Sequence, residues 1–300
     1  MSAPMVTIYE PLYLPGQQLA EFAFRPLRLE NNDFADWREF RILVDMYRRG
    51  LHREQEFTGL LSPKFNLKTG LSGRDFLAFI ESNADVDVCF VNPFPQLAYI
   101  SHNVWMQGEH AHPGLTVRSQ ALLDAVRIDI TLDDVPRHGP DVLCYSNYWV
   151  GKERLWDEYV GGLLLPIAQF LETHPDHPAS RAIMEPTIHL EAAPFLPFMI
   201  ERLFSTYLSL NRASVSFRAF PADPIALCLT DLERDLVSRQ RDAVDAADRA
   251  ELFPAAMKNE MLKLSALRQS YDHDYFDIHA HPHAKGPAGQ VVIPQKPTKA

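Results

Sequence analysis

Apolar positions in the first two thirds of the chain alternate between strand-like and helix-like spacing. Short β-type runs begin at Val6 and Glu56, and a nearly unbroken apolar run, VDVCFVN, covers residues 86–92. A further run from Asp141 to Asn147 has the same character. Continuous apolar runs of this length are typical of strands that are buried on both faces.

Helix-like spacing separates these runs. Ser72 and Asp75 have the spacing of a capping box, and an apolar periodicity of three or four residues follows them. The same periodicity predicts helices over Leu115–Val126 and Glu153–Glu172, the latter interrupted or kinked at Pro166. A further helix is predicted from the apolar positions Trp37, Phe40, Val44, Tyr47 and Leu51. Repeated alternation of strand and helix predicts an α/β fold, with a mostly parallel central sheet flanked by helices.

The last third of the chain has a different pattern. It predicts an apolar helix over Phe195–Leu210, a strand over Ser214–Phe220 and two amphipathic helices between Leu229 and Tyr271. From Asp277 the composition shifts to His, Pro, Gly and Lys without apolar periodicity, which indicates disorder. The predicted organisation is a Rossmann-like α/β domain over residues 1–221, a helical appendix over 222–276 and a disordered tail over 277–300.

Composition narrows the classes of function. With 46% hydrophobic residues, the 300-residue chain has enough apolar material for a sizeable core. A net charge of −10 argues against nucleic acid as a partner, because phosphate-backbone binding needs a basic face. No apolar run approaches the roughly 20 residues of a membrane span, and the first residues lack a signal pattern. We therefore expect a cytoplasmic protein without a transmembrane segment, and peripheral membrane association stays open.

The first candidate binding segment, GLLSPKFNLKTG at residues 59–70, follows a predicted strand. In an open parallel sheet, ligands bind beyond the carboxyl ends of the strands. Ser62, Lys64 and Lys68 lie in this segment. Two ammonium groups and a hydroxyl can hold the diphosphate of a nucleotide sugar without a metal. The alternative is a solvated loop with ordinary surface lysines.

The second candidate segment, residues 91–115, combines little periodicity with many ligand-type side chains, which predicts a long binding loop. Trp105 is a candidate for stacking on a sugar or a base. Gln107, Glu109 and His112 are candidates for hydrogen bonds to sugar hydroxyls. One alternative is a structural loop packed by its own aromatic residues. The other is a metal hydrolase site built from His102, Glu109, His110 and His112, although their spacing matches no common zinc motif.

An Asp-x-Asp pattern, by which many nucleotide-sugar enzymes hold a divalent ion, occurs at Asp85 and Asp87. It precedes its strand and would lie at the edge opposite to the ligand, so we interpret it as a strand-entry cap. Asn92 stands where the acidic pair would be expected and is a candidate donor-binding residue. The histidines of the tail, within residues 279–283, have no preformed geometry for a metal. The sequence predicts no required cofactor, and a metal held elsewhere stays open.

The third candidate segment joins CYSNYWVGKERLWDEY at residues 144–159 with the helix PFMIERLFSTYL. Asn147 and Trp149 lie at a strand end just before a helix, a position suited to a donor or acceptor sugar. Glu201 and Arg202 interrupt a strongly apolar helix, where a carboxylate is costly unless it is paired or functional. Glu201 is therefore either a catalytic or sugar-binding carboxylate or part of a structural ion pair.

The order of these segments resembles the glycosyltransferase-like domains of bacterial capsule and O-antigen loci. The likeness covers residues 37–210 and lies in WREFRILVDMY, GLLSPKF, SNYWVGKERLWDEY and ERLFSTYL. It implies a GT-A-like fold and hexosyl transfer from a nucleotide sugar to a glycan or lipid-linked glycan in surface-polysaccharide synthesis. The chain lacks the basic HYRR cluster of those families and has no Asp-x-Asp after the strand. The residues to which the resemblance points are Ser62, Lys64, Asn147, Glu201 and Arg202.

The hypothesis from sequence is therefore a glycosyltransferase that works without an Asp-x-Asp metal. A non-catalytic carbohydrate-binding or scaffold protein that retains the fold is the alternative. The catalytic carboxylate is expected to be Glu201 or Glu109. The expected donor-binding residues are Ser62, Lys64, Lys68, Asn92 and Arg202. The expected sugar- or acceptor-binding residues are Trp105, Gln107, His112, Asn147 and Trp149.

Overall fold

A six-stranded mixed sheet forms the centre of the protein in this computed structural model, which describes residues 5–29, 33–187 and 193–283. The strands are β1 (Val6–Leu12), β2 (Arg25–Arg28), β3 (Phe57–Leu60), β4 (Val88–Phe90), β5 (Trp149–Gly151) and β6 (Phe217–Ala219). Their order across the sheet is β2-β1-β3-β5-β4-β6. β5 runs antiparallel to both of its neighbours, whereas the other pairs are parallel. The predicted mostly parallel sheet is thus confirmed.

The predicted strand over Asp141 to Asn147 is wrong. In its place the backbone turns, and β5 begins only at Trp149. Ser146 and Asn147 have φ angles of 65° and 53°, in the left-handed region that a strand excludes. The apolar character of this segment reflects burial of a turn rather than an extended backbone. β2 was not predicted, because its RPLR sequence carries only one buried side chain, Leu27.

Helices cover both faces of the sheet. They are α1 (Glu39–Arg48), α2 (Phe65–Thr69), α3 (Gly73–Ser82), α4 (Val104–Ala111), α5 (Leu115–Val126), α6 (Glu153–Leu155), α7 (Leu165–Thr173), α8 (Pro178–Ile183), α9 (Phe195–Leu210), α10 (Asp231–Arg249) and α11 (Ala255–Ile278). Short 3-10 turns occupy Ala35–Trp37, Leu51–Arg53, Pro95–Tyr99 and Leu132–Asp134. Among the residues that are described, no helix is long and apolar enough to cross a bilayer.

A π-helical segment, Trp156–Leu164, joins α6 to α7. It ends just before Pro166, which has no N–H to donate to the preceding turn. Wider winding is one way in which a helix absorbs such a missing hydrogen bond. The predicted interruption at Pro166 therefore takes the form of a π-helix within one continuous helical segment.

Two hydrophobic cores lie on opposite faces of the sheet. Val88 belongs to the larger core and the adjacent Cys89 to the smaller one, since successive side chains of a strand point to opposite faces. The smaller core is closed by α3 through Phe76 and Ile80. In the larger core α9 is buried along almost its whole length. Burial on both faces explains why the central strands have nearly continuous apolar runs.

The C-terminal helices pack on the α/β body. Val237 of α10 and Met261 of α11 belong to the larger core. The buried Glu233 carboxylate accepts a hydrogen bond of 2.7 Å from Arg268, which joins the two helices. α11 continues to Ile278, so the predicted start of disorder at residue 277 is too early. Residues 284–300 of the predicted tail lie outside the described part of the chain.

The buried His138 predicts a specific loss of stability in acid. Its Nδ1 accepts a hydrogen bond from the Val104 N–H, its Nε2 lies 3.1 Å from Ser209 Oγ, and burial lowers its pKa to about 3. In the unfolded chain this histidine has an ordinary pKa of about 6.5. Between this pH and about 3 the unfolded state therefore binds a proton at His138 that the folded state does not bind. Stability should therefore fall by about 1.4 kcal/mol for each unit as pH drops from about 6.5 towards 3.

The measurement is urea denaturation of wild type and His138→Asn at pH 7 and pH 5. The wild type should lose about 2 kcal/mol more than the variant between these two pH values. Equal losses would show that His138 contributes nothing to acid sensitivity.

Candidate functional site

An open cleft lies at the carboxyl edge of the parallel strands. Its void, including the solvent at its mouth, is about 430 Å³. Four separate parts of the chain line it: Arg38, Glu39, Ser62, Lys68, Ser146, Asn147, Pro197, Phe198 and Glu201. The predicted site residues Ser62, Lys68, Asn147 and Glu201 are among them. The first and the two parts of the third candidate segment therefore converge on the cleft, whereas no residue of the second lines it.

The topology of the sheet brings these residues together. Ser62 follows the carboxyl end of β3, and Lys68 lies on α2 directly after it. Asn147 precedes β5, and because β5 is antiparallel its start lies at the same edge. Glu201 is presented by α9, which packs across this side of the sheet. Ligands of open α/β sheets bind at this edge.

Lys68 is a charged group of the cleft that has no ion pair with another described residue. Its ammonium donates a hydrogen bond of 2.9 Å to Ser146 Oγ, yet no carboxylate among the described residues lies within 4.0 Å of it. Burial lowers the pKa of Lys68, and the positive charges of Lys64 and Arg38 add to this, whereas Glu201 and Glu39 oppose it. A partly buried ammonium without an ion pair loses hydration that the anionic group of a ligand can replace.

Strained backbone concentrates around the cleft. The described residues include five non-glycine residues with positive φ, and Arg38, Ser146 and Asn147 of the cleft are three of them. The left-handed region costs a residue with a Cβ about 1–2 kcal/mol. Glu201 holds this turn, since its Oε1 accepts the Ser146 N–H at 2.6 Å. Strain of this kind accumulates at functional sites, where the surrounding structure maintains it.

Replacing Asn147 should separate the free energy cost of its left-handed backbone from the contribution of its side-chain contacts to stability. Asn147→Ala is expected to destabilise the fold by about 1 kcal/mol, because alanine tolerates a φ of 53° less well than asparagine. Asn147→Gly should cost nothing, because glycine adopts positive φ freely. Urea denaturation of both variants measures this. Equal destabilisation by the two substitutions would assign the cost to lost side-chain contacts instead.

Ser62 stabilises the floor of the cleft. Its hydroxyl lies 2.8 Å from the hydroxyl of the buried Tyr148, and it accepts the Lys64 N–H at 3.3 Å. Ser62 therefore links the loop after β3 to the turn before β5. Lys64 itself lies outside the lining of the cleft, at the start of α2.

The predicted binding loop over residues 91–115 is largely helical and serves packing. It contains the 3-10 turn Pro95–Tyr99 and helix α4. Trp105 is buried, and its indole N–H donates to Thr206 Oγ1 at 2.9 Å, so it has no face for a sugar. Gln107 accepts a hydrogen bond of 2.6 Å from Arg202. His112 stacks at 3.7 Å on Phe198, behind the cleft wall.

The acidic and histidine side chains of this segment also have structural roles. Glu109 caps α5 by accepting the N–H groups of Gly114 and Thr116 at 2.6 and 3.0 Å, which lowers the pKa of Glu109 against the effect of burial. His110 lies 3.0 Å from Ser265 Oγ, and His102 packs on Phe253. In the described ranges no three His, Cys, Asp or Glu side chains cluster around a point that could hold a metal.

Three more predicted site residues lie in the interior. Arg202 is 2% exposed and donates hydrogen bonds to Val104 O, Phe198 O and Gln107 Oε1. Trp149 is stacked on Phe204 in the core. The side-chain oxygen of Asn92 accepts the Phe94 N–H at 3.0 Å. These contacts place all three residues around the cleft walls or in the core rather than in the lining.

Asp87 of the Asp-x-Asp pattern makes a structural contact at the start of its strand. The Asp87 carboxylate accepts hydrogen bonds from the N–H and Oγ of Ser216 at 2.8 and 2.7 Å. This joins the start of β4 to the segment before β6, at the edge opposite to the cleft. The strand-entry role of Asp87 is confirmed.

Two charged cleft residues, Arg38 and Glu39, were missed from the sequence. They occupy the start of α1, where WREF reads as ordinary polar positions of an amphipathic helix. Their only sequence signal is that they open a helix on the carboxyl side of a strand. Glu39 makes no side-chain hydrogen bond or ion pair to another described residue, so its carboxylate is available to a ligand.

The cleft thus combines cationic, anionic, hydroxyl and amide groups over a strained backbone, at the edge of the sheet where α/β proteins bind ligands. The chain matches no family model, and no characterised protein or solved structure is significantly similar to it.

Proposed function

We propose that the protein is a glycosyltransferase whose cleft binds a nucleotide-sugar donor. The observation that carries this proposal is the uncompensated Lys68 ammonium, which lies in a cleft that also holds two carboxylates, an amide and a hydroxyl. An ammonium of this kind fits a phosphate oxygen of the donor. The carboxylates and the amide can form hydrogen bonds with the hydroxyl groups of the sugar.

The groups of the cleft have complementary roles in sugar transfer. The acceptor hydroxyl attacks the anomeric carbon, the bond from that carbon to the diphosphate oxygen breaks, and the acceptor proton passes to a carboxylate. Glu201 and Glu39 are the carboxylates in the cleft, and a positioned carboxylate contributes about 10²–10⁴-fold as a general base. Lys68 stabilises the negative charge that develops on the leaving diphosphate.

The resemblance to capsule and O-antigen domains supports the choice of acceptor. We place the reaction in the cytoplasm, with a glycan or lipid-linked glycan of surface-polysaccharide synthesis as acceptor. We assign the protein's own cation, Lys68, to the diphosphate of the donor.

A thermal-shift panel of UDP-, GDP-, dTDP- and CMP-sugars tests the proposal. The specific donor should raise the melting temperature, because a ligand at 100 times its Kd adds about 2.7 kcal/mol to stability. With that donor and a glycan acceptor, Glu201→Gln should lower the transfer rate about 100-fold or more. Glu81→Gln, an exposed carboxamide change on α3, is the matched control and should transfer at the wild-type rate.

The outcomes separate the competing functions. A panel without any shift contradicts the proposal. A donor that binds but is never transferred, with any glycan acceptor, favours the non-catalytic carbohydrate-binding alternative.

A further inference from the structure

The segment after α11, residues 279–283, folds back towards Lys68 of the cleft. The ring of His281 lies 4.5 Å from that of Phe276, and the ring of His283 lies 5.5 Å from that of Phe94. Lys68 Nζ is 6.0 Å from the centre of the same Phe94 ring. His283 and Lys68, more than 200 positions apart in sequence, therefore both contact Phe94.

His283 lies in surroundings that are cationic. Its Nδ1 is buried and has no hydrogen-bond partner among the described residues. Burial, together with the positive charges of His281, Lys68 and Lys64, lowers the pKa of His283 to about 4. A buried polar nitrogen without a hydrogen-bond partner costs free energy. An anion in these cationic surroundings would supply the partner that Nδ1 lacks.

Lys64 and Lys68 are separated by one helical turn and project from the same short helix region. No carboxylate in the described part of the chain lies within 4.0 Å of either ammonium, although most arginines of the protein have such a partner. The two lysines are therefore a pair of uncompensated cations. A phosphate group is the anion that such a cluster of N–H donors suits best.

We propose that Lys64, Lys68 and His283 form one anion site, which takes a phosphate or diphosphate group, and that the C-terminal segment completes it. The identity of the ligand rests on the proposed function, in which the group is the diphosphate of the nucleotide-sugar donor. The site itself requires only the three side chains. The C-terminal segment is then part of the binding site rather than a passive tail.

Calorimetric titration of the full chain with inorganic pyrophosphate, and separately with UDP, tests the anion site. Wild type should bind pyrophosphate at one site. His283→Ala should weaken this binding about tenfold, as expected for the loss of one hydrogen bond to a charged group. His283→Gln, which keeps a donor, should restore part of the affinity. His273→Ala, an exposed histidine of α11, is the matched control and should bind like wild type.

Two results would overturn the anion site: no pyrophosphate binding by wild type, or equal affinity of wild type and His283→Ala. The failure of the proposed function is distinguishable from this. If pyrophosphate binds as predicted but no nucleotide sugar does, the anion site stands and the glycosyltransferase assignment fails. If a nucleotide sugar binds and is transferred equally well by His283→Ala, the assignment stands and the anion site fails.

Discussion

Lys68→Met should weaken donor binding about 100-fold without destabilising the fold. The ammonium is partly desolvated in the cleft, and among the described residues the Ser146 hydroxyl is its only hydrogen-bond partner. Its removal relieves the free energy cost of burying an unpaired charge. In contrast, the donor diphosphate loses a charge-assisted hydrogen bond, which is worth about 1.5–3 kcal/mol. We expect roughly a 100-fold weaker affinity at an unchanged or higher melting temperature.

Titration calorimetry and thermal denaturation of the same samples measure these two effects. Lys263→Met, an exposed lysine on α11, is the control for the loss of one positive charge and should change neither. A Lys68→Met protein that is strongly destabilised would show that Lys68 serves the fold. Unchanged donor affinity would remove Lys68 from the site.

Arg202→Ala should be among the most destabilising substitutions in the chain. The buried guanidinium donates to Val104 O at 3.1 Å, to Phe198 O at 2.7 Å and to Gln107 Oε1 at 2.6 Å. It thereby joins α9 to α4. Alanine leaves these acceptors unsatisfied and opens a cavity, so we expect a loss of about 4 kcal/mol in the free energy of unfolding.

Urea denaturation gives this value. Arg239→Ala removes an exposed ion pair with Asp235 and should cost less than about 1 kcal/mol. If Arg202→Ala were as stable as wild type but did not bind the donor, Arg202 would return to the donor-binding role that the sequence suggested.

The sheet was predictable because its central strands are buried on both faces. Val88 and Cys89 belong to different cores, so the run around them is apolar at consecutive positions and stands out in the sequence. β2 lacks this signal because it is an edge strand. The turn at Ser146 imitates a strand in composition, since burial rather than backbone shape determines its apolar character.

The candidate site was predictable where the sheet topology alone determines position. Ser62 follows the carboxyl end of β3, as predicted. Asn147 reaches the same edge for another reason, because the predicted strand before it is a turn and the reversed strand β5 begins after it. Trp105 and Glu109 could not be assigned in this way. Their partners, Thr206 and the N–H groups at the start of α5, become neighbours only through helix packing. A polar side chain that serves a buried partner has the same sequence signal as one that serves a ligand.

Arg38, in contrast, belongs to the cleft but was not predicted from the sequence. Its sequence context is that of a surface arginine, yet its φ of 49° and its place in the cleft mark it as part of the site. The sequence gives no signal of backbone strain at an arginine, because arginine is not a residue that favours the left-handed region. Only the three-dimensional structure shows that three residues with positive φ, Arg38, Ser146 and Asn147, meet at one cleft.

The most direct test of the account is a crystal structure of the protein with the nucleotide sugar that stabilises it most. The predicted result places a diphosphate oxygen within hydrogen-bond distance of Lys68 Nζ and the sugar ring between Glu201 and Asn147. Density for the donor at any other surface, with the cleft occupied only by solvent, would contradict the assignment.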